Sequence, residues 1–410
     1  MNRHKSDTLY QLDAVMLSNQ INGAAPASAA VLPDALSRQV YCILGIPIDA
    51  VEMPAVLSRI EAAAARSLPY SISTPNLNFL VSSQSDPDFR ETLLLSDLCP
   101  ADGMPILWIA RLIGVPIKRR IAGSDIFDAL KQRRRPAHPL KVFLFGGADG
   151  AAATAARALN GGASGLSCVG SLNPGFGSVE DMSRRDIIDH VNASGADFLV
   201  AALGARKGQL WLHRNSHRFA IPIRAHLGAS VNFQAGTVRR APRLVREAGL
   251  EWLWRIKEEP YLWRRYWNDG RVFLRMLFAR VLPLAVLSGW SRLTRRRRIH
   301  QLAITQEHGD GSITVKLSGP ATAPFVRQMI PAFRAAIATR KQVIVDLSAT
   351  RAIDARFLGL LLMLRKSLRA EGRFLTVAGF SPRMERIFHL NGADYLLRDC
   401  SAWTRSSPSG

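Results

Sequence analysis

The chain has 410 residues, 48% hydrophobic and 21% charged, which is too long for one comfortable core and too apolar for a disordered protein. Its formal charge of +22 calls for a polyanionic partner or surface: nucleic acid, anionic lipid or a phosphorylated substrate. Four scattered cysteines (Cys42, Cys99, Cys168, Cys400) with no C-x-x-C pair give no sign of a zinc site or a disulfide framework, which fits a reducing cytosol.

In chain order, the charged opening M-N-R-H-K-S-D has no apolar run behind it and reads as lacking a signal peptide. Residues 1–36 are expected to form a flexible leader, Ala/Ser/Pro-rich from Ser18 to Ala35. Val40 to Leu44 reads as a strand closed by Gly45 and Pro47, and Ala55 to Ala65 as a helix with Pro54 at its first turn. Tyr70 to Ser73 is a short strand that delivers Thr74, Asn76 and Asn78 at its end. Ser85-Asp86-Pro87-Asp88 has the composition of a capped helix start, and D-P-D also spells a D-x-D metal motif; immediate helical residues favour the cap. Asp102 then sits before a glycine, flanked by apolar Cys99-Pro100 and Met104-Pro105. It is either the cap of a helix over Ile106–Leu112 or a carboxylate whose proton affinity is raised for general-base work.

Three further strands follow: Lys141–Phe145, Asp197–Leu203 and Ile221–Leu227. Each runs into a glycine-bearing loop, at Gly146 and Gly147, at Gly204 to Gly208, and at Gly228 with Asn232 and Gly236 beyond. Strands alternating with helices imply a mostly parallel sheet with ligands at the strands' carboxyl ends. G-x-G-x-x-G is absent, so for the first loop a structural turn and a phosphate cradle stand as equal readings. Between Pro260 and Ile299 ten arginines face one acid, Asp269, and aromatic residues are interleaved with them. Val272 to Trp290 is interrupted by Arg275, Arg280 and Pro283, so an interfacial segment is favoured over a membrane span or a solvated charge run. Arg264, Arg271 and Arg275 fall on one helical edge. No groove-reading module is visible, so no nucleic-acid partner is expected. After Arg295–Arg298 the pattern of strands Ile313–Leu317, Gln342–Leu347 and Arg373–Ala378 with intervening helices describes a small second α/β module.

Residues 40 to about 270 resemble the WecG/TagA/CpsF family of bacterial N-acetylmannosaminuronyl and N-acetylmannosaminyl transferases. The resemblance rests on T-P-N at 74–76, A-D-G at 101–103, R-I-A-G-S-D at 120–125 and F-L-F-G-G at 143–147. It continues through G-A-R-K-G-Q-L-W at 204–211, R-A-P at 240–242, G-L-E-W-L-W-R-I-K-E-E-P at 249–260 and R-R-Y at 264–266. It implies a Rossmann-like, metal-independent enzyme that moves a sugar from a UDP-sugar to a polyprenyl-diphosphate-linked acceptor. On that basis Asp102 is the catalytic base, Thr74 and Asn76 line its pocket, and Arg120 is the basic partner of phosphate or sugar. Gly146, Gly147, Gly204, Lys207, Gln209, Gly228, Asn232 and Gly236 are expected around the nucleotide. Arg255, Arg264, Arg265, Arg271 and Arg275 are expected to face acceptor and membrane. The family's P-x-Q-E is replaced by Arg206-Lys207-Gly208-Gln209, which puts Gly208 where its glutamine stands, and its later aspartate is Asn232. Residues 301 to about 400 resemble a STAS domain, through V-I-V-D-L-S at 343–348 and I-D-A-R-F-L-G at 353–359. The phosphorylated serine of that family corresponds to Ala355, so docking or regulation through a protein partner is expected from this module.

The expected architecture is therefore α/β: a Rossmann-like mostly parallel sheet with helices on both faces over 37–250, an arginine- and aromatic-rich membrane-associating tail over 251–299, a STAS-like domain over 300–400 and a short disordered tail over 401–410. The expected activity is inverting, metal-independent transfer of a HexNAc-type sugar in cell-surface or exopolysaccharide synthesis. It would occur in the cytoplasm at the inner face of the cell membrane, with no cofactor because the UDP-sugar is itself a substrate. The competing reading is a non-catalytic nucleotide-sugar sensor that signals through the STAS-like part, motivated by Gly208 and Asn232.

Overall fold

A computed structural model describes residues 32–133, 138–162, 164–247, 249–295 and 301–398. The leader expected over 1–36 falls almost wholly outside them, as do arginines 296–298, Cys400 and the tail 401–410.

The main sheet holds five parallel strands, β3 (Tyr70–Ile72), β4 (Leu140–Gly146), β5 (Leu166–Leu172), β6 (Phe198–Ala202) and β7 (Ile223–His226), in the spatial order β3-β7-β6-β4-β5. β6 is buried at every position and β4 at all but Lys141, as expected of strands covered on both faces. Helices Met53–Ala65, Ala151–Asn160 and Ala205–Arg214 flank this sheet. The order reverses at β4, so the carboxyl ends of β4 and β6 open side by side.

Upstream, β1 (Val40–Ile43) and β2 (Ile46–Asp49) form an antiparallel hairpin whose two-residue turn takes positive φ at Leu44 and Gly45. Alternation along this hairpin divides it between two cores. Val40 and Cys42 pack with the C-terminal module, whereas Ile43, Ile46 and Ile48 pack with Phe79, Ile106 and Ile109.

The C-terminal module is a second five-stranded sheet, in which β9 (Ser312–Ala321) pairs antiparallel with β8 (Ala303–His308) and parallel with β10 (Gln342–Asp346) and β11 (Thr350–Ile353). β12 (Leu375–Ala378) extends it beside β10. Helix Ala355–Ala370 starts at an Asp354 cap and is buried from Arg356 through Leu364. A helix apolar all round is a core helix. This one lies between its own sheet and β1, and at Gly359 an added Cβ would stand 2.1 Å from the Val40 carbonyl oxygen. The chain-order boundary near residue 300 is therefore not a boundary in the core.

Gly359→Ala is expected to destabilise the protein by about 1–3 kcal/mol through overpacking. Tryptophan fluorescence during chemical denaturation should report the shift, because every tryptophan except Trp403 precedes residue 300 while the substitution lies in the C-terminal module.

Candidate active site

Three short segments converge beyond the end of β3 through backbone hydrogen bonds. The segment Ser96–Ala101 runs parallel to β3, bridged at Ile72 and Leu98, and Ser73 N–H donates to Leu98 O (3.0 Å). Asp102 N–H donates to Pro75 O (2.8 Å), and Ile121 N–H donates to Ala101 O (2.8 Å). T-P-N, A-D-G and R-I-A-G are thereby brought together. At Gly123 a Cβ would lie 2.5 Å from Leu227 Cδ2 and 3.2 Å from Thr74 Oγ1, so glycine is what lets the third segment close on the first.

Asp102 does not cap the helix that follows. Helix Met104–Ile113 begins at Gly103, at φ 116°, with no side-chain cap. The Asp102 carboxyl is instead pushed up to about 7 by burial; the Arg120 guanidinium and the Gly123 N–H pull it down, and the carboxylates of Glu251 and Asp125 add to the rise. Arg120 is ion-paired with Glu251 and, at 3.3 Å, with Asp125. Asp125 also meets Arg240 and, at 3.4 Å, Arg246, so the R-A-P segment anchors the helix Gly123–Gln132. Thr74 is buried beside Gly123. Asn76 accepts from Phe79 N–H (3.2 Å) as the cap of helix Leu77–Ser85. Glu251, at the start of helix Glu251–Glu258, is a site residue that sequence reasoning left unassigned, although it stands inside the G-L-E-W-L-W run. Asp86 accepts from Phe89 N–H (3.0 Å) and meets Arg206 at 2.5 Å, so D-P-D is a helix cap here. Among the described residues, no three His, Cys, Asp or Glu side chains are grouped to share an ion.

The residues expected around a nucleotide divide. Gly146, Gly147, Gly204 and Gly228 do gather at the carboxyl ends of β4, β6 and β7, but the Gly147 N–H donates to Ala202 O (2.8 Å) and is not free for phosphate. Helix Ala205–Arg214 begins at Gly204 with no side-chain cap, leaving its first N–H groups open at the end of β6. Lys207 Nζ donates to Gly177 O (2.7 Å). Gln209 is buried and its amide meets Ser73 Oγ at 3.0 Å, lining a cavity of about 320 Å³ with Ser96 and Arg224; Asp102 does not line it. Gln209 shares the buried face of helix Ala205–Arg214 with Gly208, Trp211 and Leu212. Gly208 itself leaves room for the His226 ring, whose Cδ2 would stand 2.2 Å from an added Cβ. His226 Nε2 meets Leu203 O, and burial lowers the ring's proton affinity. Asn232 lies on helix Gly228–Gln234 with its Oδ1 buried and unpartnered, and Gly236 forms a positive-φ turn after that helix.

The tail docks by one face and exposes another. Asp269, Met276, Val281 and Leu284 are buried; Asn78 Nδ2 donates to Asp269 (3.1 Å) and Arg280 to Gln84 Oε1 (2.9 Å). On the opposite face Trp263, Trp267, Leu274 and Phe278 are exposed, within about 60° of one another at ~100° per residue. Arg264, Arg271 and Arg275 border that stripe and are exposed, as is Arg265, while Arg255 is half-buried against Glu259 (2.6 Å). By length and hydropathy the helical stretch Pro260–Gly289 is able to cross a membrane, and its docked face is that of a helix held on the protein.

The model of the Glycosyl transferase WecG/TagA/CpsF family matches residues 41–285, and that of the Mlab, STAS domain matches residues 304–398. Over 194 residues the chain is 29% identical to an N-acetylglucosaminyldiphosphoundecaprenol N-acetyl-beta-D-mannosaminyltransferase of Bacillus spizizenii, covering 47% of this chain and 73% of the relative. It is 26% identical over 211 residues to the protein of that name in Bacillus subtilis, covering 50% of this chain and 78% of the relative. Among solved structures, the unphosphorylated anti-sigma factor antagonist SpoIIAA matches with 21% identity and a TM-score of 0.20, covering 21% of this chain and 82% of that one. With the family model spanning more than half of its length, this chain belongs to the WecG/TagA/CpsF glycosyltransferase family.

Proposed function

We propose that the protein transfers an N-acetylhexosamine, of the N-acetylmannosamine type, from a UDP-sugar to an N-acetylglucosaminyl-diphosphopolyprenol. The transfer takes place at the inner membrane face without a metal. The observation that carries this reading is Asp102: a carboxyl that burial pushes up to about 7, set where T-P-N, A-D-G and R-I-A-G close on each other. A base so poised is partly ionised near neutral pH yet still basic enough to take a proton from an alcohol. The acceptor hydroxyl gives its proton to Asp102 and its oxygen bonds to the anomeric carbon. The bond from that carbon to the diphosphate breaks on the opposite side, UDP leaves with the electron pair, and configuration inverts. Arg120 supplies positive charge next to Asp102, and the N-terminus of helix Ala205–Arg214 would offer N–H groups to phosphate. The relatives' names support the donor sugar and the acceptor. The exposed aromatic stripe edged by arginines suits a lipid-linked acceptor, with rings at the acyl boundary and guanidinium groups on lipid phosphates.

Asp102→Asn is expected to lower turnover by about 10²–10⁴-fold, measured as UDP release, and wild-type turnover should rise with pH through about 7. Stability moves the other way. The unfolded carboxyl loses its proton near 3.8 and the folded one near 7, so ionised Asp102 destabilises the fold as pH rises across that window. Asp102→Asn should therefore be more stable than wild type at pH 8, by an amount of order a few kcal/mol that vanishes toward pH 4, in paired thermal melts. The double variant Trp263→Ala/Trp267→Ala is expected to weaken partition onto anionic vesicles by about tenfold or more in sedimentation, with the melting temperature retained.

A further inference from the structure

The C-terminal module reaches the segment that carries the general base. Lys366, on helix Ala355–Ala370, donates from Nζ to Ser96 O (2.9 Å) and to Asp97 Oδ1 (2.5 Å). Asp97 Oδ2 in turn accepts from Ser71 N–H (2.8 Å) and Ser71 Oγ (3.1 Å) on β3. Ser96 O also accepts from Arg38 Nη1 (2.9 Å), and Arg38 is paired with Asp49 at 2.7 Å, both side chains 2% exposed. Asp49 Oδ2 accepts from Cys99 N–H (2.7 Å), three residues before Asp102. Arg356, on the same helix as Lys366, donates to Val40 O (2.9 Å) and Arg38 O (3.0 Å).

The hydroxyls alongside define a direction. Ser73 Oγ and Ser96 Oγ are 2.7 Å apart, Ser96 Oγ donates to Thr92 O (2.8 Å), and Ser73 Oγ meets the Gln209 amide at 3.0 Å. With the amide oxygen toward Ser73, two hydroxyl hydrogens would have to serve three contacts. Turning the amide so that its nitrogen donates to Ser73 satisfies all three, in the order Gln209, Ser73, Ser96, Thr92. Ser96 is thus held from three sides, by this relay, by Arg38 and by Lys366, and Ser73 leads directly into Thr74.

We propose that the C-terminal module is a fixed brace for the catalytic loop, with Lys366 and Arg356 as positioning residues for glycosyl transfer. The module holds the segment Ser96–Ala101 in the register that sets Asp102 against Thr74 and Gly123. This role rests on the reading of Asp102 as the base, and the test separates the two.

In the full-length protein, amide hydrogen exchange over residues 96–103 reads the brace without reference to chemistry. UDP release from UDP-N-acetylmannosamine, with an N-acetylglucosaminyl-diphosphopolyprenol acceptor, reads catalysis. Lys366→Met is expected to speed exchange in that segment at least tenfold and to lower kcat at least tenfold with the donor KM within about twofold. As water reaches the carboxyl, the acidic limb of its pH profile should move below the wild-type position. Lys366→Arg should restore both exchange and kcat, and Arg356→Lys should fall between. Wild-type exchange and wild-type kcat in folded Lys366→Met would overturn the brace. Faster exchange with an unmoved kcat and pH limb would overturn the positioning role. Full turnover by Asp102→Asn, with exchange in Lys366→Met still accelerated, would instead sink the base assignment and leave the mechanical link standing.

Discussion

The buried carboxylate of Asp49 is the contact on which the arrangement depends. It receives the Arg38 guanidinium through two nitrogens and the Cys99 N–H, in a place where neither charged side chain is more than 2% exposed. Removing one member of such a pair leaves a charge without compensation and typically costs about 3–5 kcal/mol. The cost here would not be local. Asp49 also donates its own N–H to Cys99 O (2.8 Å), so the hairpin, the strand-like run to Ala101 and, through Arg38 O, the C-terminal module are fastened at one point. The carboxyl of Asp102 inherits its position from that junction, and with it the burial that lifts its proton affinity.

Much of the catalytic part was legible because it follows local rules. The apolar runs became β4, β6 and β7 within one or two residues, and Asp86 with Pro87 at the next position announced a helix start that the Phe89 hydrogen bond realises. The meeting of T-P-N, A-D-G and R-I-A-G was readable only through resemblance, since nothing in their spacing states that Pro75 will accept from Asp102. Side-chain direction was the harder quantity. Lys207 and Gln209 follow a glycine at the end of β6 and so look aimed at a ligand. One is tied to Gly177 and the other turned in against Ser73. Arg38, Arg356 and Lys366 escaped notice for the opposite reason: a basic residue in a basic chain reads as surface, and only long-range packing reveals that Arg38 and Arg356 are buried and Lys366 half-buried.

The tail packs on the catalytic domain and also against the C-terminal module, whose helix Pro382–Leu390 meets the tail segments Leu277–Val281 and Leu282–Arg295. Helix Met104–Ile113 contributes Ile106 and Ile109 to a core that also holds Met276, Val281 and Leu284 of the tail and Ile43 and Ile48 of the hairpin. Met276, Val281 and Leu284 of the tail thus share one apolar layer with the hairpin and with Leu390 of the C-terminal module. The positive charge is also put to local use, since Arg240 and Arg246 hold Asp125 while the arginines flanking the aromatic stripe stay free to face solvent or phosphate.

The division of β1 between two cores has a consequence for how the polypeptide is made. Val40 and Cys42 leave the ribosome early, yet the side chains that cover them, from Phe357 to Leu396, are translated last. Contacts separated by more than three hundred positions are slow to form because the intervening chain must first be ordered. Until synthesis finishes, the hairpin presents an uncovered apolar edge, and a transferase released without its last hundred residues would carry that edge permanently, as an aggregation-prone surface.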